Sequence, residues 1–532
     1  MFNQLVTPVG ENLGLSFIVA ALPVAVVLLL LGVARRPAWQ ASLAGLVAGL
    51  VIAVFVWQMP LSLALSSTAN GMAFALWPVL WIVFNALLLY NLAVDTGRFD
   101  AFRAWMIAHL PNDRRIVLVV VGFCFGALLE GISGFGTPVA ITSALLIALG
   151  IPALEALTFT LIFNTAPVAF GALGTPVTTL GAVTQLSDVT LGQMIGRQLP
   201  FLAMLLPFYV IGLYGGQRSI RQLWPVLTVA GGSFAIAQFV TSNFITYTLT
   251  DVMSALVSLV CTTLFLKVWK SPVEPEFVLN VPAPKVTGMA HAPWQGWIPW
   301  LLLAAVVTVW TTFGIQFIGQ QRIEWPGLHN QIFVTVYKQA YAAIYAYQPL
   351  ASGTAILLSA LIMAALFKVS PGRLFKAARA TLLQIRIAIV TVALIIGLAY
   401  LMNYSGMTYT LGLGVASAGV LFPLLSAFLG WVAVFLSGSD TSGNALFGNL
   451  QVVAAKQLDL SPVLMAATNS SGGVMGKMIS PQNIATGTSV TDLKGKEGVV
   501  LARTFKHSII LTLLLGILVM LQQYVFPWII PE

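Results

Sequence analysis

The sequence predicts an all-α polytopic membrane protein with about 12 membrane-spanning segments, built as an inverted repeat. Three observations carry this prediction. The 532 residues are 58% hydrophobic and only 8% charged, with mean hydropathy +0.93, whereas soluble chains run near one-quarter charged. Separate apolar runs of about 20 residues recur along the chain, each long enough for the ~30 Å hydrocarbon core. Two longer apolar regions, 115–190 and 408–490, are broken by Gly, Pro, Ser, Thr and Asn and resemble each other. The short alternating strands that mark a membrane β-barrel are not found.

The simple spans are 14–33, 39–57, 72–94, 197–214, 224–240, 251–267, 297–318, 348–367, 385–402 and 504–526. Charge orients them. Arg35–Arg36, the Arg98/Arg103/Arg114/Arg115 cluster, Arg218/Arg221, Lys267/Lys270 and Lys368/Arg373/Lys376/Arg379/Arg386 read as cytoplasmic. This works if both chain ends lie outside. The loop 319–347 carries Arg322 and Lys338 yet falls outside; its amphipathic character suggests a segment lying along the interface. The net charge of +9 (25 Lys and Arg minus 16 Asp and Glu) is spread over loops and reads as topogenic, so the lipid bilayer is the expected partner and nucleic acid is not. Cys124 and Cys261 both sit in apolar runs and suggest neither a disulfide framework nor a metal site. No cleavable signal is evident, because the N-terminus lacks a basic region.

Region 115–190 begins inside and ends outside, and 408–490 runs the other way. Asn164-Thr165 is followed by Gly171 and Pro176; Asn469-Ser470, 305 residues on, is followed at the same offsets by Gly476 and Pro481. "SGFGT" (133–137) has its counterpart in "SGSDT" (437–441). Internal similarity with opposite direction is the build of secondary transporters. The predicted halves are 1–214 and 297–532, joined by 215–296. Each holds a re-entrant hairpin (about 114–150; about 410–455) and an interrupted helix (about 153–186; about 461–490). The hairpin tips are expected at Ser133–Pro138 and Ser437–Asn444, and the unwound stretches near Asn164–Gly174 and Asn469–Ser480.

Helix-start chemistry recurs at these breaks. Thr137-Pro138, Thr175-Pro176 and Ser480-Pro481 each place a capping hydroxyl before a proline, and Asp440-Thr441-Ser442 offers further caps. Such N-termini at membrane depth aim free N–H groups at a small anion, and broken backbone is tolerated there only inside protein or beside a wet cavity. Three charges also interrupt the apolar sequence. Residues 387–439 hold no charge before Asp440; Glu130 follows 14 uncharged residues; Lys477 follows 17. Glu130 and Asp440 read as protonatable carriers and Lys477 as a counter-charge for an anion; the alternative is a structural Asp440–Lys477 pair. Glu155, Asp188 and Asp251 lie near predicted helix ends and read as interfacial, and Arg197 as structural. "SSGGVMGKM" fails as a phosphate loop at Ser471 and Met478. "GISG" (131–134) matches the G-x-S-G element of intramembrane serine proteases, with His507 as the only partner for Ser133 at a helix; that reading leaves the mirrored region unexplained.

The stretches "VGFCFGALLEGISGFGTPVAITSALL", "NTAPVAFGALGTP", "GRQLPF", "VAGGSFAIAQF", "FLSGSDTSGNALF" and "GGVMGKMISPQNIA" resemble the bacterial lactate permease family over nearly the whole length. The resemblance implies a proton-coupled symporter of L-lactate, D-lactate and glycolate in the bacterial cytoplasmic membrane, without enzymatic activity or cofactor. It also implies an inverted-repeat fold of a kind that often works as a dimer. A sodium-coupled carboxylate carrier would share this architecture. On this reading the tip Ser133, Gly134, Phe135, Gly136 and Thr137, the broken-helix residues Asn164, Thr165, Thr175, Asn469, Ser470, Ser480 and Gln482, and the second tip's Thr441 and Ser442 bind the substrate. Lys477 and the helix N-termini seat its carboxylate, Asn164, Asn469 and Gln482 serve its hydroxyl, and Phe135 and Ala166 wall its methyl. Asp440 is the first candidate for the proton and Glu130 the second.

Overall fold

The computed structural model describes the chain apart from Val33, Arg35, Phe135, Gly136, Val273, 280–291, Val490 and Gly495. Among the described residues, ten helices are long and apolar enough to cross a membrane. They become up to eleven if the bent pair Ala153–Phe163 and Val168–Thr184 is one span. The expected number was about 12, and merging explains part of the difference. Asp188–Phe244 counts once, yet the chain turns at Gly216 (φ +69°), where only glycine enters without strain. A Cβ on Gly231 would lie 2.5 Å from the Met204 carbonyl oxygen, so residues 199–240 fold back on themselves as two packed helices.

Two spans are longer than their apolar cores. The expected 72–94 is part of Leu61–Asp95, and 385–402 is part of Pro371–Ser405. The first gains a polar start because Ser67 and Thr68 turn their hydroxyls onto the carbonyls of Leu63 and Ala64 (2.7 and 3.0 Å) and so satisfy them within the helix. The second starts where Ser370 caps the Arg373 N–H (3.3 Å) and Pro371 takes the first helical position.

The molecule has two chemically distinct ends. At one, Phe2–Asn3 pairs in parallel with Ile332–Val334, and the Gln4 amide donates to the carbonyls of Asn403 and Tyr404. The loop expected to lie along the interface is folded here into two small sheets. Gln321–Glu324 runs antiparallel to Ile344–Tyr347, and Ile332–Val334 pairs with Gln339–Ala340. β-Branched and aromatic residues in these stretches favour strands over an interfacial helix. The other end gathers the expected basic residues. Arg373 pairs with Asp95 (2.5 Å), Arg218 with Glu274 (2.8 Å), Arg114 donates to the Glu276 carbonyl (2.7 Å), and buried Arg115 is held by Asp113 and Gln222.

Arg114–Ser133 and Thr137–Ala148 form a helical hairpin. Arg114 at its start reaches Glu276, and in the next helix Phe159 meets Tyr214, which meets Phe277. Phe422–Ser437 and Asp440–Gln457 form the other helical hairpin. Thr410, ahead of it, donates to the Val6 carbonyl, and Lys456 covers the Tyr337 ring.

Between Ala153–Phe163 and Val168–Thr184 the chain bends by 64°, and a left-handed run follows at Ala172, Leu173 and Gly174. The second helix expected to be interrupted does not unwind at Asn469. Pro462–Lys477 is continuous helix, and only Met478–Ser480 separates it from Pro481–Ser489. Its glycines serve packing instead of unwinding. A Cβ on Gly472 would clash with the Ala427 carbonyl, one on Gly476 with that of Trp431, and one on Gly430 with that of Asn469. Small residues allow this backbone-to-backbone approach between membrane helices. Gly476→Ala is therefore expected to destabilise the fold by about 1–3 kcal/mol; a lower unfolding temperature in detergent would show it.

Candidate functional site

The two hairpin tips and both helix breaks meet at one small cavity. It is lined by Glu130 and Gly134 from the first hairpin and by Val168, Gly171, Ala172, Thr175 and Pro176 from the first broken helix. Gly438, Ser439, Asp440 and Thr441 come from the second tip, and Lys477, Gln482 and Asn483 from the second break. Its volume is about 50 Å³, room for about four waters at 10–15 Å³ each. Helices start beside it at Asp440 and, through Gln482 and Asn483 of its first turn, at Pro481, and Thr175 lines it just after the left-handed run at Ala172–Gly174. The cap of the helix that starts at Asp440 is Ser439, not Asp440-Thr441-Ser442: its hydroxyl accepts from the Ser442 N–H (3.3 Å). Ser480 does not cap. Its buried hydroxyl has no partner among the described residues and lies beside Gly438, which turns the tip at φ +71°.

The charged residues are not arranged as the pair considered from sequence. Lys477 bonds Glu130 (2.5 Å), with side chains 7% and 3% exposed, and Asn164 donates to the other Glu130 oxygen (3.0 Å). Gly171 keeps room for this carboxylate, since a Cβ there would lie 2.9 Å from Glu130 Oε1. Among the described residues, Asp440 is served by neutral donors only. Ser470 and Asn444 donate to its Oδ2 (2.5 and 3.3 Å), and Oδ1 has no partner among the described residues. A relay of amides holds this side: Gln451 donates to Asn469 (3.0 Å), Asn469 to Asn444 (2.9 Å), and Asn444 also to the Pro176 carbonyl (3.1 Å). The last bond ties the second hairpin to the first broken helix.

The family model described as L-lactate permease matches residues 16–526. The chain belongs to the L-lactate permease family. It is 42% identical to the L-lactate permease of Salmonella typhi over the full length of both chains. It is 40% identical to the glycolate permease GlcA of Escherichia coli over 99% of this chain and 98% of that one. The solved structure of MtrF from Neisseria gonorrhoeae, described within a class of antimetabolite efflux pumps, superposes with a TM-score of 0.51. It covers 94% of this chain and 97% of that chain at 11% identity, a likeness of fold alone. This L-lactate permease family member is thus a multi-pass membrane transporter, not an enzyme.

Within this permease the sequence-expected residues separate into groups. Glu130, Gly134, Thr175, Asp440, Thr441, Lys477 and Gln482 line the cavity. Asn164, Asn469 and Ser470 stand behind it and hold Glu130, Asn444 and Asp440. Ser133 and Thr165 turn onto the carbonyls of Leu129 and Ile162 (2.8 and 2.7 Å), and Ser442 is buried outside the lining. Phe135, Gly136 and the Thr137 side chain lie outside the described residues. Ala166 is not in the wall; its carbonyl accepts from Gln238 (2.9 Å), and Val168 and Ala172 stand there instead. The protease alternative lacks its dyad, because His507 bonds Tyr209 (2.5 Å).

Sequence reasoning missed Asn483 and Asp251. Asn483 donates to the carbonyls of Gly438 and Lys477 (3.1 and 3.4 Å) and so locks the tip to the break; its place two residues after Pro481 was the available signal. Asp251, expected at the interface, is buried. A larger cavity of about 670 Å³ near Arg36 and Glu497 also reaches Gln482, which therefore stands between it and the small cavity.

Proposed function

We propose that this permease carries lactate of either hand, and glycolate, together with one proton across the bacterial cytoplasmic membrane, with both chain ends outside. The observation that carries the reading is the buried Lys477–Glu130 pair beside Asp440, which has no ion-pair partner among the described residues. Lys477 has three N–H donors; one goes to Glu130, and the others suit a substrate carboxylate. The helix N-termini at Asp440 and Pro481 add partial positive charge. Gln482 and Asn483 offer partners for the 2-hydroxyl, and Val168, Ala172 and Pro176 an apolar wall for a methyl group. The relatives named L-lactate permease and glycolate permease support the same substrate class.

Asp440 carries the proton in this reading, and Glu130 holds Lys477 in place and is the second candidate. One lactate with one proton is neutral, which lowers the cost of crossing. The hairpins enter from opposite sides as the re-entrant parts of two inverted halves, and their motion against the outer spans alternates access. The test is labelled-lactate uptake in proteoliposomes with sodium and pH gradients imposed separately. Uptake above equilibrium on a pH gradient without sodium is expected; uptake driven by sodium alone would refute the proton reading.

A further inference from the structure

We propose that Asp251 hands the coupling proton to the Glu130–Lys477–Asp440 cluster from the end of the molecule that carries the N-terminus; this rests on the proton-coupled reading above. Asp251 is 1% exposed, and neither carboxyl oxygen has a partner among the described residues. It sits in the first turn of Thr250–Val268, pressed against the first hairpin. A Cβ on Gly131, the neighbour of Glu130, would lie 2.8 Å from the Asp251 Cβ.

Counting charge makes Asp251 part of the cluster. Glu130, Asp251 and Asp440 fully ionised against Lys477 would leave two uncompensated buried negative charges, which a bilayer interior does not tolerate. Protons therefore reside there. Glu130 has its cation, and Asp440 has two donors. A carboxylate buried without any donor is the least stable of the three, so Asp251 holds a proton at rest.

The surroundings give that proton a direction. Tyr247, four residues earlier, donates to Asp188 (2.7 Å) and shares a bond with Thr178 (3.0 Å). Half-buried Asp188 belongs to the N-terminal end. One turn before it, the Val183 carbonyl accepts from Asn403, whose own carbonyl accepts from Gln4. A hydrogen bond thus joins Asp188 to Tyr247, and Asp251, four residues after Tyr247, is pressed against the hairpin beside Glu130. The larger cavity behind Gln482 opens from the other end, so proton and anion approach the cluster separately. In the transfer an Asp251 O–H breaks, an O–H forms on a cluster carboxylate, and the Asp251 carboxylate is reprotonated by a hydronium ion from the N-terminal end, which is left as water. Few other groups compete. Cys124 on the hairpin helix meets Ser258 instead (3.2 Å), and residues 171–184, 223–245 and 298–312, which pack around this helix, carry no titratable side chain apart from the interior groups named.

A relay alters rates and leaves the coupled equilibrium alone. For Asp251→Asn, the initial rate of pH-driven lactate uptake is expected to fall about 10-fold or more. The final accumulation ratio should stay near that of the wild type, and exchange at equal pH should suffer less. Asp251→Glu should recover the rate. The proposal is overturned if Asp251→Asn keeps the wild-type rate and pH profile. It is overturned equally if exchange and pH-driven uptake fall by the same factor, which marks a structural role. A wild type that ignores the pH gradient would instead fail the proton-coupled reading itself.

Discussion

Lys477→Ala is expected to abolish lactate binding and to weaken the fold at the same time. The two effects arise from one contact. Glu130 is 3% exposed and its only cation among the described residues is Lys477; removing one partner of a buried pair typically costs about 3–5 kcal/mol, because the other charge is left uncompensated. Asn164 alone would then face the Glu130 carboxylate. Loss of transport in the single variant therefore cannot distinguish a substrate seat from a brace. The double variant Glu130→Gln with Lys477→Met does so. It removes both charges, so most of the thermal stability should return, while lactate affinity should remain at least about 10-fold weaker for want of a charge-assisted bond. Binding is read by lactate-dependent stabilisation in detergent and by counterflow in liposomes. A double variant that binds lactate as tightly as the wild type would reduce Lys477 to a structural cation.

That contact also marks where the sequence stops being legible. The chemistry that suggests breaks is visible, since Thr137, Pro138, Thr175, Pro176, Ser480 and Pro481 stand in apolar runs where a spanning helix gains nothing from them. The presence of Glu130, Asp440 and Lys477 at depth could be read from the uncharged stretches around them. Their partners could not. Glu130 and Lys477 are 347 residues apart, and nothing local favours that pair over Asp440 with Lys477. Composition also misled at Gly472 and Gly476. Glycines that unwind a helix and glycines that let two helices touch look alike in sequence, and only the carbonyls of Ala427 and Trp431 show which kind these are. Asp251 failed for a related reason. A residue in the first turn of an apolar helix looks interfacial unless another element covers it, and here Gly131 of a distant hairpin does.

Asp440→Asn is expected to turn a coupled carrier into an uncoupled one. With Asp440 ionised, Glu130, Lys477 and Asp440 sum to one negative charge; with Asp440 protonated they sum to zero. A bound monocarboxylate then returns the sum to minus one, so the loaded protonated site and the empty ionised site carry equal charge. Restricting movement to those two forms ties each anion to one proton. Asn444 and Ser470 can still bond an amide oxygen at position 440, so the variant keeps its shape. It loses the ability to be charged, and its empty and loaded forms then differ by one unit. Lactate should no longer accumulate on a pH gradient, and its uptake should become sensitive to membrane potential, rising when the interior is made positive. One charge moved through 100 mV is worth about 2.3 kcal/mol, or nearly fifty-fold in distribution at equilibrium, so the change is large enough to measure with imposed potassium potentials. Retention of full pH-driven accumulation in Asp440→Asn would move the proton to Glu130, whose own substitution by Gln should then produce the same voltage-dependent leak.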